Sequence, residues 1–147
     1  MRSPAIVPAG LQLATIGGRA VAALIDAVVN AAIWFPFFWI WGYWDPSENT
    51  YKVTGLPALA MFLVTAGYWI LPEWFFGATL GKSMCDLRVV SLKGKKCSFS
   101  QSVKRNLLRV LDFFGFCLVG FIAAKLSPLR QRLGDRWAGT IVVVVPD

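Results

Sequence analysis

Arg19, Asp26 and Asn30 stand inside the apolar run GRAVAALIDAVVNAAIWF, Gly18 to Phe35, at steps of seven and four. On a helix those steps put a cation, an anion and an amide along one stripe, with Arg19 about 10 Å from Asp26 along the axis. Arg19, at the edge of the run, can snorkel to headgroups. Asp26 cannot. An ionised carboxylate at that depth costs about 2.5 to 3.5 kcal/mol on insertion scales, so it must face protein or water and have a partner. Such a carboxylate, with Asn30 as a neutral oxygen ligand and Glu73 nearby, has the chemistry needed to exchange a proton for a hard cation such as sodium. The plainer reading is a charge pair that locks helices together.

A second stripe carries Gln101, Arg105, Arg109 and Asp112 at steps of four, four and three, all on one helical face. Arg109 can pair with Asp112 locally or reach Asp26; Arg105 can meet headgroups or Glu73, which follows Pro72. In GDRWAGT, Asp135 and Arg136 precede the last strand-like run. Asp135 can bond loop amides or form a salt bridge with Arg88 or Arg19. Spacing leaves these pairings open.

Catalytic and metal chemistry lack the residues they need. The chain has no histidine, and Cys85, Cys97 and Cys117 form no CxxC pair, so zinc, haem and a disulfide framework have no ligand set. We expect no cofactor, no metal site and no catalytic residue. Ser83 and Thr79 have no base to activate them. GATLGKS imitates part of a phosphate loop, but three residues separate Gly77 from Gly81 where that motif needs four.

The elements that must position these charges are membrane spans. At 147 residues the chain is one domain, and 56% hydrophobic content exceeds the apolar share of ordinary soluble domains. Ala20 to Trp44 contains one charge, Asp26, and Gly55 to Gly77 one, Glu73; each is long enough to cross a hydrocarbon core of about 30 Å. Trp39, Trp41, Trp44, Trp69 and Trp74 near the run ends suit headgroup level. Glycines and Gln12 interrupt any compact signal sequence before the first run, which is expected to remain as an uncleaved anchor.

Charge sets the expected orientation. The loop between the runs has Asp45, Glu48 and Lys52, whereas the stretch after the second holds Lys82, Arg88, Lys93, Lys95, Lys96, Lys104 and Arg105 against Asp86. The first loop is then outside and the second inside, with a cytoplasmic N-terminus in the plasma (inner) membrane. The inside cluster would attract anionic headgroups. It has no nucleic-acid motif.

The third apolar region is free of charge only from Phe113 to Ala124, short for a crossing. A re-entrant element keeps the basic tail inside; a third span would put it outside. LRVVSLKGKKCSF reads as a hairpin around Lys93-Gly94, Ser98 and Gln101 as a capping box starting a helix near Ser100, and Thr140 to Val145 as a strand. The expected fold is an all-α integral membrane protein: two spans, a third apolar helical region and a cytoplasmic three-stranded β patch.

Three stretches resemble the RDD family of membrane proteins, named for one arginine and two aspartates: RAVAALIDAVV, EWFFGATLGKSMCDLRVV, and RNLLRVLDFF with LGDRWAGTIVVV. The resemblance implies that Arg19 is the family arginine and Asp26 the first aspartate. Asp135 then corresponds to the second, with Asp112 also in a family-like stretch. Gly77, Gly81 and Lys82 match the family pattern. Asp86 stands where glycine is common before the leucine, and Gly134 where histidine is frequent. For this family transport has been proposed, including sodium-proton exchange.

Two functions follow as expectations. In one, the chain is a transport subunit that moves sodium, protons or a small solute through a homo-oligomer lined by the first helix, using Asp26. In the other it is a membrane scaffold for a partner protein, with the Arg/Asp set structural and the stripe of Ala20, Ala22, Ala23, Ala27, Ala31 and Ala32 available for helix contact.

Overall fold

The computed structural model describes residues 10–109 and 118–145. A short strand β1, Gln12–Leu13, leads to Thr15, whose hydroxyl accepts from the Gly18 N–H at 3.0 Å and caps the first helix. That helix, α1, runs Ile16–Trp41 over 26 residues, about 39 Å. Strands β2 (Tyr43–Asp45) and β3 (Thr50–Lys52) form an antiparallel hairpin. Lys52 closes it by bridging Asp45 at 2.9 Å and Glu48 at 2.7 Å. This hairpin was not expected from the loop's composition. Helix α2 follows over Gly55–Phe75, 21 residues, about 31 Å long.

Both helices are long and apolar enough to cross a membrane. They are not core helices of a soluble protein, because their large side chains face outward: Trp39 is 78% exposed and Leu56 80%, with Leu24, Val28, Phe35, Phe62 and Leu63 similarly bare. So much apolar surface needs lipid or another apolar partner. Between the helices, the Trp34 indole N–H donates to the Thr65 hydroxyl at 2.9 Å.

After α2 come α3 (Leu80–Ser83), β4 (Leu87–Ser91), α4 (Phe99–Leu107), α5 (Leu118–Lys125), α6 (Leu133–Ala138) and β5 (Thr140–Val144). The Ser98–Gln101 capping box is present in both directions, at 3.0 and 3.2 Å. Of the third apolar region, α5 is described as eight residues, about 12 Å. The residues before it, with Asp112 and Cys117, lie outside those described.

The polar end is organised by an antiparallel sheet of order β1-β5-β4, with Val89 opposite Val142 and Leu13 opposite Val143. Its third strand is β1 rather than the expected second arm of the Lys93-Gly94 hairpin. Lys96 makes only an isolated bridge to Val90, since the chain must turn at Ser98 to start α4. One face packs Val89 and Val142 with Ala14, Ala22, Leu87 and Cys97; the other packs Val90, Ile141 and Val143 with Leu129. Burial on both faces explains the uninterrupted β-branched run of β5. Burial also pushes the Cys97 thiol up to about 11, which keeps it protonated and inert at neutral pH.

Candidate functional site

The carboxylate of Asp26 is 1% exposed and, among the described residues, bonds no cation. Its Oδ1 accepts from the Tyr68 hydroxyl at 2.6 Å and the Gly81 N–H at 2.9 Å; its Oδ2 accepts from the Thr79 hydroxyl at 2.7 Å. A pairing with Arg19 or Arg109, which spacing left open, is replaced by three neutral donors. Local geometry accounts for it: α3 starts at Thr79, and its first turn presents an unpaired N–H at Gly81 to the negative charge. A Cβ at Gly81 would lie 2.9 Å from Asp26 Oδ1 and collide with the Ala22 carbonyl. Glycine is what lets α3 approach α1 closely enough for this contact.

Arg19 turns the other way. Its Nη2 bonds Asp135 Oδ2 at 2.7 Å, and its Nη1 donates to the Arg130 carbonyl. Asp135 also accepts from the Arg132 N–H at 3.1 Å, fastening the start of α6, and its Oδ1 lies 3.2 Å from Arg105 Nη1. Arg105 continues the chain, since its Nη1 donates to Thr140 Oγ1 at 2.9 Å and its Nε lies 3.3 Å from Glu73 Oε2. The latter is a charge contact without hydrogen-bond alignment. Glu73, 0% exposed near the end of α2, further takes the Lys82 ammonium on Oε1 and the Asn106 amide on Oε2 at 3.1 Å. Arg109 lies over the Trp69 ring, 3.5 Å from its centroid, and reaches Glu73 Oε1 only at 4.0 Å.

Arg19, Asp135, Arg105, Glu73 and Lys82 thus form one alternating chain of charges across α1, α6, α4, α2 and α3. Burial pushes the Asp135 carboxyl up, but Arg105 and Arg19 outweigh it and hold the group well below the usual carboxylate range. Burial works against the Arg105 charge, and Asp135 and Glu73 overcome it. At Lys82 burial prevails over Glu73, so the ammonium is pushed down to about 8.

Of the residues singled out by spacing, Arg19, Glu73, Lys82, Arg105, Arg109 and Asp135 converge here, with Asp26 and Gly81 beside them. Gly77 has φ +77°, against the Arg88 stem. Asn30 is half-buried one turn beyond Asp26, and its Oδ1 has no hydrogen-bond partner among the described residues. Arg136 is exposed and outside the charge chain; among the described residues its side chain reaches only the Ala123 carbonyl, at 3.5 Å. Asp112 lies outside the described residues. Sequence reasoning missed Tyr68 and Asn106, and weighed Thr79 only as a nucleophile, not as a donor to Asp26. Asn106 had a usable signal, one helical turn after Ser102, and the two do bond: the Asn106 amide donates to the Ser102 carbonyl at 2.9 Å. Tyr68 and Thr79 had none, because neutral hydroxyls in an apolar run carry no charge pattern.

Among the described residues no group of three or more acidic or cysteine side chains is placed to hold a metal ion. Both departures from the family pattern have a geometric counterpart. Asp86 has φ +54°, the left-handed region that favours glycine, and a Cβ at Gly134 would stand 2.6 Å from the Arg105 carbonyl, where no histidine fits. No curated protein and no solved structure matches the chain. The family model described as the RDD family matches residues 13–139, from the end of β1 through α6. With two apolar, outward-facing helices of membrane-spanning length and this match over most of its length, the chain belongs to the RDD family and is membrane-associated.

Proposed function

We propose that the protein is a multi-pass plasma-membrane assembly protein in which the buried Arg/Asp set is structural, with its N-terminus in the cytoplasm. The observation that supports this reading is the unbroken charge chain from Arg19 to Lys82, which ties five helices at the polar end into one block. Asp26 is spoken for by three donors, so its charge is solvated by the fold itself. The bare apolar faces of α1 and α2 then serve contact with lipid, with a second copy, or with a membrane partner protein. The basic stretch from Lys82 to Arg105 faces the cytoplasm under this orientation, close to anionic headgroups.

A second reading, transport, has its own support. All three donors to Asp26 are neutral, so a proton or sodium ion can be taken up there without breaking an ion pair, and Asn30 Oδ1 is an unused oxygen one turn away. Two or three spans enclose no path, so transport would require a homo-oligomer lined by α1. Reconstitution in liposomes separates the two. The assembly reading expects the wild type to dissipate sodium and proton gradients no faster than empty liposomes, and Asp26→Asn to lower the unfolding midpoint. Flux by the wild type that disappears in a normally folded Asp26→Asn would establish transport instead.

A further inference from the structure

We infer that the cavity lined from α1, α3, β4 and the ends of α4 and α6 binds one phosphate group, carried either on a lipid headgroup or as free phosphate. The inference holds whichever of the two functions is right.

The cavity measures about 30 Å³, room for about two water-sized oxygens. That suits the leading oxygens of a phosphoryl group and excludes a large organic anion. Arg19, Lys82, Arg105, Arg109 and Arg132 line it together with Asp26 and Asp135, and Glu73 contacts three of those cations from behind. Five cations therefore face three carboxylates among the described residues, an excess of two positive charges. The Asp26 oxygens are taken by Tyr68, Thr79 and Gly81 and bond none of these cations.

Two guanidinium groups have donors to spare. Among the described residues the Arg132 side chain donates no hydrogen bond; only its backbone is engaged, the N–H by Asp135 and the carbonyl by the Arg136 N–H. The Arg109 side chain makes none either, resting on Trp69 with Glu73 at 4.0 Å. Like charges crowded in a low-dielectric cavity repel, and an anion relieves that repulsion. A guanidinium fork matches phosphate oxygens two at a time, which makes arginine the suited residue for such a ligand. The depressed proton affinity of Lys82, to which Arg105 and Arg109 contribute after burial, is a further sign of the same positive excess.

The position suits a headgroup phosphate. Arg19 lies in the first turn of α1 and Lys82 just beyond the end of α2, at the level where the two spans leave the apolar zone and headgroup phosphates begin.

The test uses the full chain in non-ionic detergent, with unfolding followed by tryptophan fluorescence at constant ionic strength. Sodium phosphate should raise the midpoint saturably by several degrees beyond sodium chloride. Arg132→Gln should weaken the apparent phosphate affinity about tenfold, one charge-assisted contact, while Arg136→Gln, outside the cavity, should respond as the wild type does. Arg109→Gln serves the same purpose if Arg132→Gln does not fold. In a parallel arm the protein is placed in phosphatidylcholine vesicles with and without phosphatidic acid. Stabilisation by free phosphate alone identifies a soluble ligand; stabilisation by phosphatidic acid that Arg132→Gln abolishes identifies a headgroup. If neither exceeds its control, or if Arg132→Gln and Arg109→Gln both respond as the wild type does, the inference is overturned.

Discussion

Asp26 and Asp135 are both buried aspartates, 1% and 3% exposed, and they are held in opposite ways. Asp26, inside the apolar length of α1, is solvated by two hydroxyls and a helix N–H. Asp135, at the polar end, is clamped between Arg19 and Arg105. The difference follows from desolvation. The Tyr68 hydroxyl of α2 and the Thr79 hydroxyl and Gly81 N–H at the start of α3 already fill the Asp26 oxygens, and burying a guanidinium against them as well would add a second desolvation cost. Near the polar end the arginine stems can lie along apolar helices with their heads in the network. Arg19 therefore passes over the aspartate on its own helix and takes the one from the far end of the chain.

Removing the shared cation should break this contrast most severely. Arg105→Met leaves Asp135 and Glu73 each short of a charge partner, and we expect a loss of about 3 to 5 kcal/mol, as for other half-broken buried pairs, measured by denaturant unfolding in detergent. A loss under about 1 kcal/mol would mean the chain of charges is dispensable. Acid acts on the same contacts from the Asp135 side. Its carboxyl is held below the usual range, so the stability it contributes is fully present above about pH 4. That contribution should disappear as the pH falls further, and Asp135→Asn should flatten the acid limb of the stability profile.

On the Asp26 side the expected effects are smaller. Gly81→Ala forces a methyl to within 2.9 Å of the carboxylate oxygen and against the Ala22 carbonyl, at about 1 to 3 kcal/mol. The Tyr68 and Thr79 hydroxyls should follow the displaced carboxylate. Ser98→Ala touches neither aspartate; it removes one half of the capping box of α4 and should cost about 1 kcal/mol. It thereby tells whether weakening α4 alone, with Arg105 intact, loosens the ion chain.

How much of this was legible depended on the kind of signal. Two apolar helices of spanning length, the Ser98 cap and the terminal strand are local patterns, and the structure has each. Arg19, Arg105, Asp135 and Glu73 were legible as a set because charges inside apolar runs demand an explanation, but their pairing was not. Arg19 and Asp26 share a helical stripe and still do not meet, since a step of seven separates them by about 10 Å and the partner of each arrives from another element. The third sheet strand, β1, was hidden for a similar reason: two residues, Gln12 and Leu13, carry no alternation to read. Tyr68 and Thr79 are uncharged, so only the folded geometry assigns them to Asp26.

A pair of double-mutant cycles, Arg105 with Asp135 and Arg105 with Asp26, scored by unfolding free energy in the same detergent, tests the contrast most directly. The account predicts coupling of about 1 to 3 kcal/mol for the first pair and within about 0.5 kcal/mol of zero for the second. Coupling of Arg105 to Asp26 as strong as to Asp135 would contradict it, because the deeper carboxylate would then be answering to a cation after all.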